Sequence, residues 1–222
     1  MSVWFFGDSY CIESTAQDDT HWKYEHNWMD LVAQGLGADE TIPISQFGVS
    51  NDWIFKFFLE NTSKFKPGDS VVVQLTSAGR KWFLPNEPQK SNLFYSQGWT
   101  EKVSNAIDQY REHLHNDQLD NIQYTSYVYA IMFMTHSIKD VNFLILPGFD
   151  SVPGVTGNLT SDICNFELGN GQKKFFDKHN GFDPRLNHMS MENHIVLADK
   201  IVDYFKNDTV LDLTTGFKGD MY

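Results

Sequence analysis

The chain is poor in cysteine, in positive charge and in long apolar runs. Its two cysteines, Cys11 and Cys164, are too few for a disulfide framework. They also cannot complete a four-ligand zinc site unless histidines join them. No run approaches the roughly 18 apolar residues of a membrane span. The opening residues carry neither the basic stretch nor the long apolar stretch of a signal peptide. These absences lead us to expect a reduced, cytoplasmic protein with no membrane partner. Lys and Arg together number 17 against 29 Asp and Glu, a net charge of −12. A surface that negative repels phosphate, so we expect no nucleic-acid partner and no docking to anionic lipid. There is no Walker-type phosphate loop, no dinucleotide fingerprint, no repeat and no low-complexity linker.

What is present is a 222-residue chain that is 41% hydrophobic and 21% charged. That composition fits a folded globule with one sizeable core, and we read residues 1–222 as a single domain. Short apolar runs alternate with helical periods. Residues 2–6 read as a strand ending at Gly7. Trp28, Leu31, Val32 and Leu36 share a helical face, and Gly37 stands where a C-cap would. A strand near 41–45 and a helix opened by Ser50 and Asn51 follow. The turn Lys66-Pro67-Gly68-Asp69 leads into the β-branched strand 70–75, and helices are expected near 99–114 and 124–138. Residues 141–146 form a strand stopped by Pro147-Gly148, and a last helix carries Ile195 to Phe205, capped by Ser190. Residues 149–182 read as a long loop or lid-like segment, with a further strand candidate at 163–168. Residues 207–222 read as a C-terminal tail. The alternation implies an α/β fold: three α/β/α layers around a central parallel sheet, with the active crevice beyond the strands' carboxyl ends.

Three segments could carry chemistry there. Gly7-Asp8-Ser9 follows the first strand at once, which would project the Ser9 hydroxyl at the strand's carboxyl end beside backbone N–H donors. An ordinary turn is the plainer reading. His188 lies in a loop before the last helix, with Asp183 upstream to orient its second ring nitrogen. His194, inside that helix, reads as structural. Gly48, between a strand and a helix, lets backbone approach a substrate oxygen and donate its N–H. The pairs His113/His115 and His21/His26 lack a third ligand at helpful spacing, and Glu112 and Asp117 read as a solvated face, so no metal is expected.

In their order and strand contexts these segments resemble the SGNH (GDSL-type) hydrolase superfamily. Gly7-Asp8-Ser9 matches its first segment. Trp28 through Leu31-Val32-Ala33-Gln34-Gly35-Leu36-Gly37 matches its following helix, and Phe47-Gly48-Val49-Ser50-Asn51 its Gly-containing segment. His188, His194 and Ala198 keep the spacing of its last. The resemblance implies a flavodoxin-like fold and a serine ester hydrolase without a cofactor. Its substrate would be a small-molecule or carbohydrate ester, with an acetyl or acyl group cleaved. Ser9 would be the nucleophile, His188 the base and Asp183 its orienting acid. Asp8 and Gly48 would lie at the oxyanion and substrate. Two positions depart from the family pattern. Ala78 stands where the family has an oxyanion-binding Asn, with Ser77 or Arg80 as the substitute donor. Arg185 stands where the family has its Asp.

These departures, with an aromatic content of 15%, keep a second function class open. It is a catalytically silent binding or assembly module, for instance a structural component of a virus particle, meeting a protein partner through an aromatic surface. Trp4, Phe5, Phe6, Trp28, Phe57 and Phe143 are expected in the core. Trp82, Phe83, Phe94, Tyr95 and Trp99, with Phe149, Phe166, Phe175, Phe176 and Phe182, are expected around the crevice.

Overall fold

Four strands form the centre: β1 (Ser2–Gly7), β2 (Glu40–Ser45), β3 (Ser70–Leu75) and β4 (Asn142–Pro147). All pair in parallel, in the order β2-β1-β3-β4. This computed structural model describes residues 1–11, 27–83, 100–159, 189 and 191–217. Within them lie helices α1 (Trp28–Leu36), α2 (Asn51–Asn61), α3 (Glu101–His113), α4 (Asp117–Thr135) and α5 (Met191–Asn207). A two-stranded parallel pair, β5 (Val155–Thr156) with β6 (Leu211–Asp212), completes the set. The expected strand at 163–168 lies outside the described residues. No described helix is long and apolar enough to cross a membrane.

Side chains alternate across a strand, and here the alternation sorts two cores. Val3 and Phe5 of β1, Val72 of β3, and Leu144 and Leu146 of β4 face one way. They pack on Trp28, Met29 and Val32 of α1 and on Leu197 and Ile201 of α5. Trp4 and Phe6, Val71, Val73 and Leu75, and Ile145 face the other way. They meet Trp53, Ile54 and Phe58 of α2 and Tyr124, Val128 and Ile131 of α4. Every residue of β3 is buried, as a strand covered on both faces requires. The fold is therefore α/β in three layers, as expected. The order 2-1-3-4 follows the flavodoxin-like pattern, in which the chain reverses direction between β1 and β3.

The helix ends obey local rules. Asn27 caps α1 in a reciprocal box with Asp30, and Gly37 closes it in a left-handed conformation. Ser50 caps α2 by accepting from Trp53 N–H. Helix α4 begins seven residues before the expected Tyr124, because its inward face opens on the polar Asp120 while Asn116 caps the true start. Beyond α5, the stretch read as a tail contains β6, and Leu211 and Leu213 are buried in the first core.

At the amino ends of the strands, Asp69 ties β1 to the turn before β3. Its carboxylate accepts from Ser2 N–H at 2.8 Å, Trp4 Nε1 at 3.1 Å and Lys66 N–H at 3.0 Å. Burial pushes this carboxyl up. The hydrogen bonds from Ser2, Lys66 and Trp4 and the charge of the chain amino terminus outweigh it and hold it below the usual Asp value. Asp69→Ala should cost about 3 kcal/mol in urea denaturation, because it leaves three donors without their acceptor. A lowered folded value means that Asp69 stabilises fully above the ordinary carboxylate range. That contribution is lost as pH falls through the lowered value. The gap between wild type and variant should therefore narrow in acid; a gap independent of pH would contradict this.

Candidate active site

The reversal between β1 and β3 opens the crevice of such a sheet at the carboxyl ends of those two strands. Three loops meet there. The first is the single 3-10 turn Ser9–Cys11 after β1. Asp8 O accepts from Cys11 N–H at 3.0 Å and closes it. Ser9 is its first residue and is half-buried. The second is the turn after β2, where Gly48 has φ +65°, a conformation that costs glycine nothing. The third is the segment Thr76–Arg80 after β3.

Asp8 is the pivot of this arrangement. Expected to lie at the oxyanion or substrate, it is instead fully buried, with 0% exposure. Its Oδ2 accepts from Arg80 Nη1 at 2.6 Å and from Thr76 Oγ1 at 2.8 Å. Its Oδ1 accepts from Tyr10 N–H at 3.1 Å, and its own N–H donates to Gln74 Oε1 at 3.0 Å. Asp8 is thus a positioning residue. It holds the turn bearing Ser9 against the loop bearing Arg80.

Arg80 folds back over the strand ends. Nη1 also reaches Val49 O at 3.5 Å, so one guanidinium spans the Ser9 turn and the Gly48 turn. Both contacts use Nη1, which leaves Nη2 and Nε without a partner among the described residues. The guanidinium carbon lies 5.3 Å from the ring centre of Phe149, whose ring also packs edge-on to Tyr10. Ser77, the other expected donor, is engaged in its own turn. Its hydroxyl accepts from Gly79 N–H at 3.3 Å and its carbonyl from Arg80 N–H at 3.1 Å. Ala78 N–H donates to Asp150 at 3.0 Å. Of the two expected donors Ser77 and Arg80, the structure brings Arg80 between the Ser9 and Gly48 loops.

Sequence reasoning missed the groups that fix these loops. Asn51 is almost fully buried. Its amide donates to Thr76 O at 3.0 Å and Ser77 O at 3.3 Å, and accepts from Thr76 N–H at 2.8 Å. It clamps the β3 loop to the start of α2. Gln74 turns its amide across the strand ends and also donates to Leu75 O at 2.8 Å. Gly148 sits against it so closely that a Cβ there would stand 2.3 Å from Leu75 O. No sequence signal marks the contacts of Asn51 with the β3 loop or of Gly148 with Leu75, because they join residues far apart in the chain.

His188 and Asp183 lie outside the described residues, as do His21, His26, Phe94, Tyr95, Trp99, Phe166, Phe175, Phe176 and Phe182. His194 is buried, and its Nδ1 accepts from Trp28 N–H at 3.2 Å, which gives it the structural place expected for it. Burial, and then the charge of Asp8, push the Cys11 thiol well up, so it is inert as a nucleophile. His115, Asp117 and Asp120 bring potential ligand atoms within 4.8 Å of one another. The two oxygens of Asp120 are already engaged by Lys81 Nζ and by His115 Nε2, each at 2.8 Å, which makes this a salt-linked cluster.

No family model matches the chain, and no curated protein matches it in sequence. In shape it is similar to two solved structures. One is a protein assigned to the lipolytic G-D-S-L family from Desulfitobacterium hafniense DCB-2, 11% identical, with 90% of this chain and 97% of that one aligned and a TM-score of 0.40. The other is an acetyl xylan esterase (Est2A) from the rumen bacterium Butyrivibrio proteoclasticus, 16% identical, with 93% of this chain and 64% of that one aligned and a TM-score of 0.40.

The buried pair generates a double-mutant prediction. Arg80→Ala should destabilise by about 3 kcal/mol, because it leaves the Asp8 carboxylate buried without its cation. Asp8→Asn in the Arg80→Ala background should recover a large part of that loss, measured by urea denaturation of all four proteins. Additive losses would show that the two side chains do not depend on each other.

Proposed function

We propose that the protein is a serine ester hydrolase that removes an acyl or acetyl group from a carbohydrate or small-molecule alcohol. One observation supports this reading above the others. Ser9 follows the carboxyl end of β1 directly, at the point where the sheet reverses, and Arg80 links its turn, through Asp8, to the turn bearing Gly48.

The proposed reaction runs in two steps. Ser9 Oγ attacks the ester carbonyl while His188 removes its proton, and Asp183 holds the imidazole in the receiving orientation. Negative charge collects on the carbonyl oxygen, where the N–H groups of Ser9 and Gly48 and an open N–H of Arg80 would donate. The carbon–alcohol oxygen bond breaks, and the alcohol leaves with the proton from His188. Water then attacks the acyl-Ser9, gives its proton to His188, and releases the acid as the serine regains its proton. Asp8 takes no proton in this scheme; it fixes the Ser9 turn and orients Arg80.

Purified protein should cleave a short-chain aryl ester, and Ser9→Ala should remove that activity while the melting curve is unchanged. The rate should fall on the acid side as His188 protonates and ceases to accept. Arg80→Lys keeps the charge but not the planar fork, and should lower kcat about ten- to a hundredfold with a smaller change in KM. Labelling by a fluorophosphonate separates this reading from the silent binding or assembly module, because only an activated serine reacts. A folded protein that neither labels nor cleaves would sink the hydrolase.

A further inference from the structure

Helix α4 carries two apolar stripes on opposite faces. The inward one, Tyr124, Val128 and Ile131, fills the second core. The outward one runs Leu119, Ile122, Ser126, Tyr129, Phe133, with alternating spacings of three and four residues. This is the seam by which one helix packs along another. Its apolar members are 59%, 61%, 59% and 75% exposed, respectively. In a chain of net charge −12, no Asp, Glu, Lys or Arg occurs from Asn121 to Ile138.

We propose that this face is the interface of a twofold dimer of the chain, α4 against α4 antiparallel, with Ser126 at the axis. Three observations favour a second copy as the occupant. The stripe is nearly symmetric about Ser126. Leu119 lies seven residues before it and Phe133 seven after, so a twofold axis sets Leu119 against Phe133 of the partner subunit. The small side chain at the centre lets the two backbones approach. Two copies so acidic repel each other wherever charged surfaces meet, and this face carries no charge to do so. Covering the stripe on both copies removes on the order of 1,200 Å² from water, the lower end for a specific interface, so micromolar association is expected.

Sedimentation velocity of the full chain at tens of micromolar tests this. Wild type should sediment as a dimer that dissociates on dilution. Leu119→Lys and Phe133→Glu should each be monomeric, with unchanged circular dichroism and melting, because both side chains point to solvent. An equimolar mixture of the two should dimerise again, since the new charges face each other only in the antiparallel register. A wild type that stays monomeric overturns the proposal, as do variants that stay dimeric or a mixture that fails to re-form the dimer. Stripe-dependent flotation of monomeric wild type with neutral phosphatidylcholine vesicles would reassign the face to a lipid surface. The readout is independent of esterase activity, so failure here leaves the hydrolase reading untouched.

Discussion

The crevice depends on one buried carboxylate. Asp8 has no exposure, and an ionised group in that position is tolerable only while paired and hydrogen-bonded. Arg80 supplies the charge, while Thr76 and the Tyr10 N–H complete its bonding. Separating the first and third loops would leave the buried carboxylate without its cation and without the Thr76 hydroxyl. The arrangement is therefore all-or-none, and it holds Ser9 at a set height above β1. Val49 O, on the far side of Arg80 Nη1, ties the second loop to the same ion pair.

Neutral contacts refine what the ion pair enforces. The two-way amide bond of Asn51 with Thr76 fixes the β3 loop relative to α2, and Gln74 fills the space between the ends of β1 and β4. Each is worth less than the buried charge pair, because a lost neutral bond costs about 1–3 kcal/mol and an unpaired buried ion costs more. Asp69 repeats the device at the other end of the same strands, where a carboxylate collects donors from β1 and from the preceding turn. The sheet is thus tied by polar groups at both ends and by apolar packing along its faces. The carboxylate at the amino ends also accepts from the partly buried backbone N–H groups of Ser2 and Lys66.

Much of the architecture is legible from periodicity. Residues 70–75 form a strand in full, because a β-branched run bounded by a Pro-Gly turn has little alternative, and α1 ends at Gly37 as its residue type suggests. The N-terminal half of α4 is not legible. Its outward stripe competes with the inward one and erases the single-faced period on which recognition depends. At the site, the positions of Ser9 and Gly48 follow from strand ends, which a sequence reveals. The burial of Asp8 does not, since Gly-Asp-Ser looks like a solvent turn until Arg80, seventy-two residues away, is seen beside it. Asn51 is likewise readable as a cap and only the tertiary structure makes it a clamp.

A guanidinium between these loops also sets the electrostatics of the crevice. A free arginine would impose a full positive charge on any bound oxygen, in the ground state and the transition state alike, and uniform attraction of that kind does not speed a reaction. Here the charge is balanced by Asp8 at 2.6 Å, so the pair is close to neutral at a distance while Nε and Nη2 keep directed N–H donors at short range. A paired guanidinium therefore acts more like a strong amide than like a cation. Its donors are set by the same bond that seats Ser9. In this chain the Ser9 turn and the Arg80 loop are consequently one mechanical unit, and the buried Asp8 is the residue that makes them so.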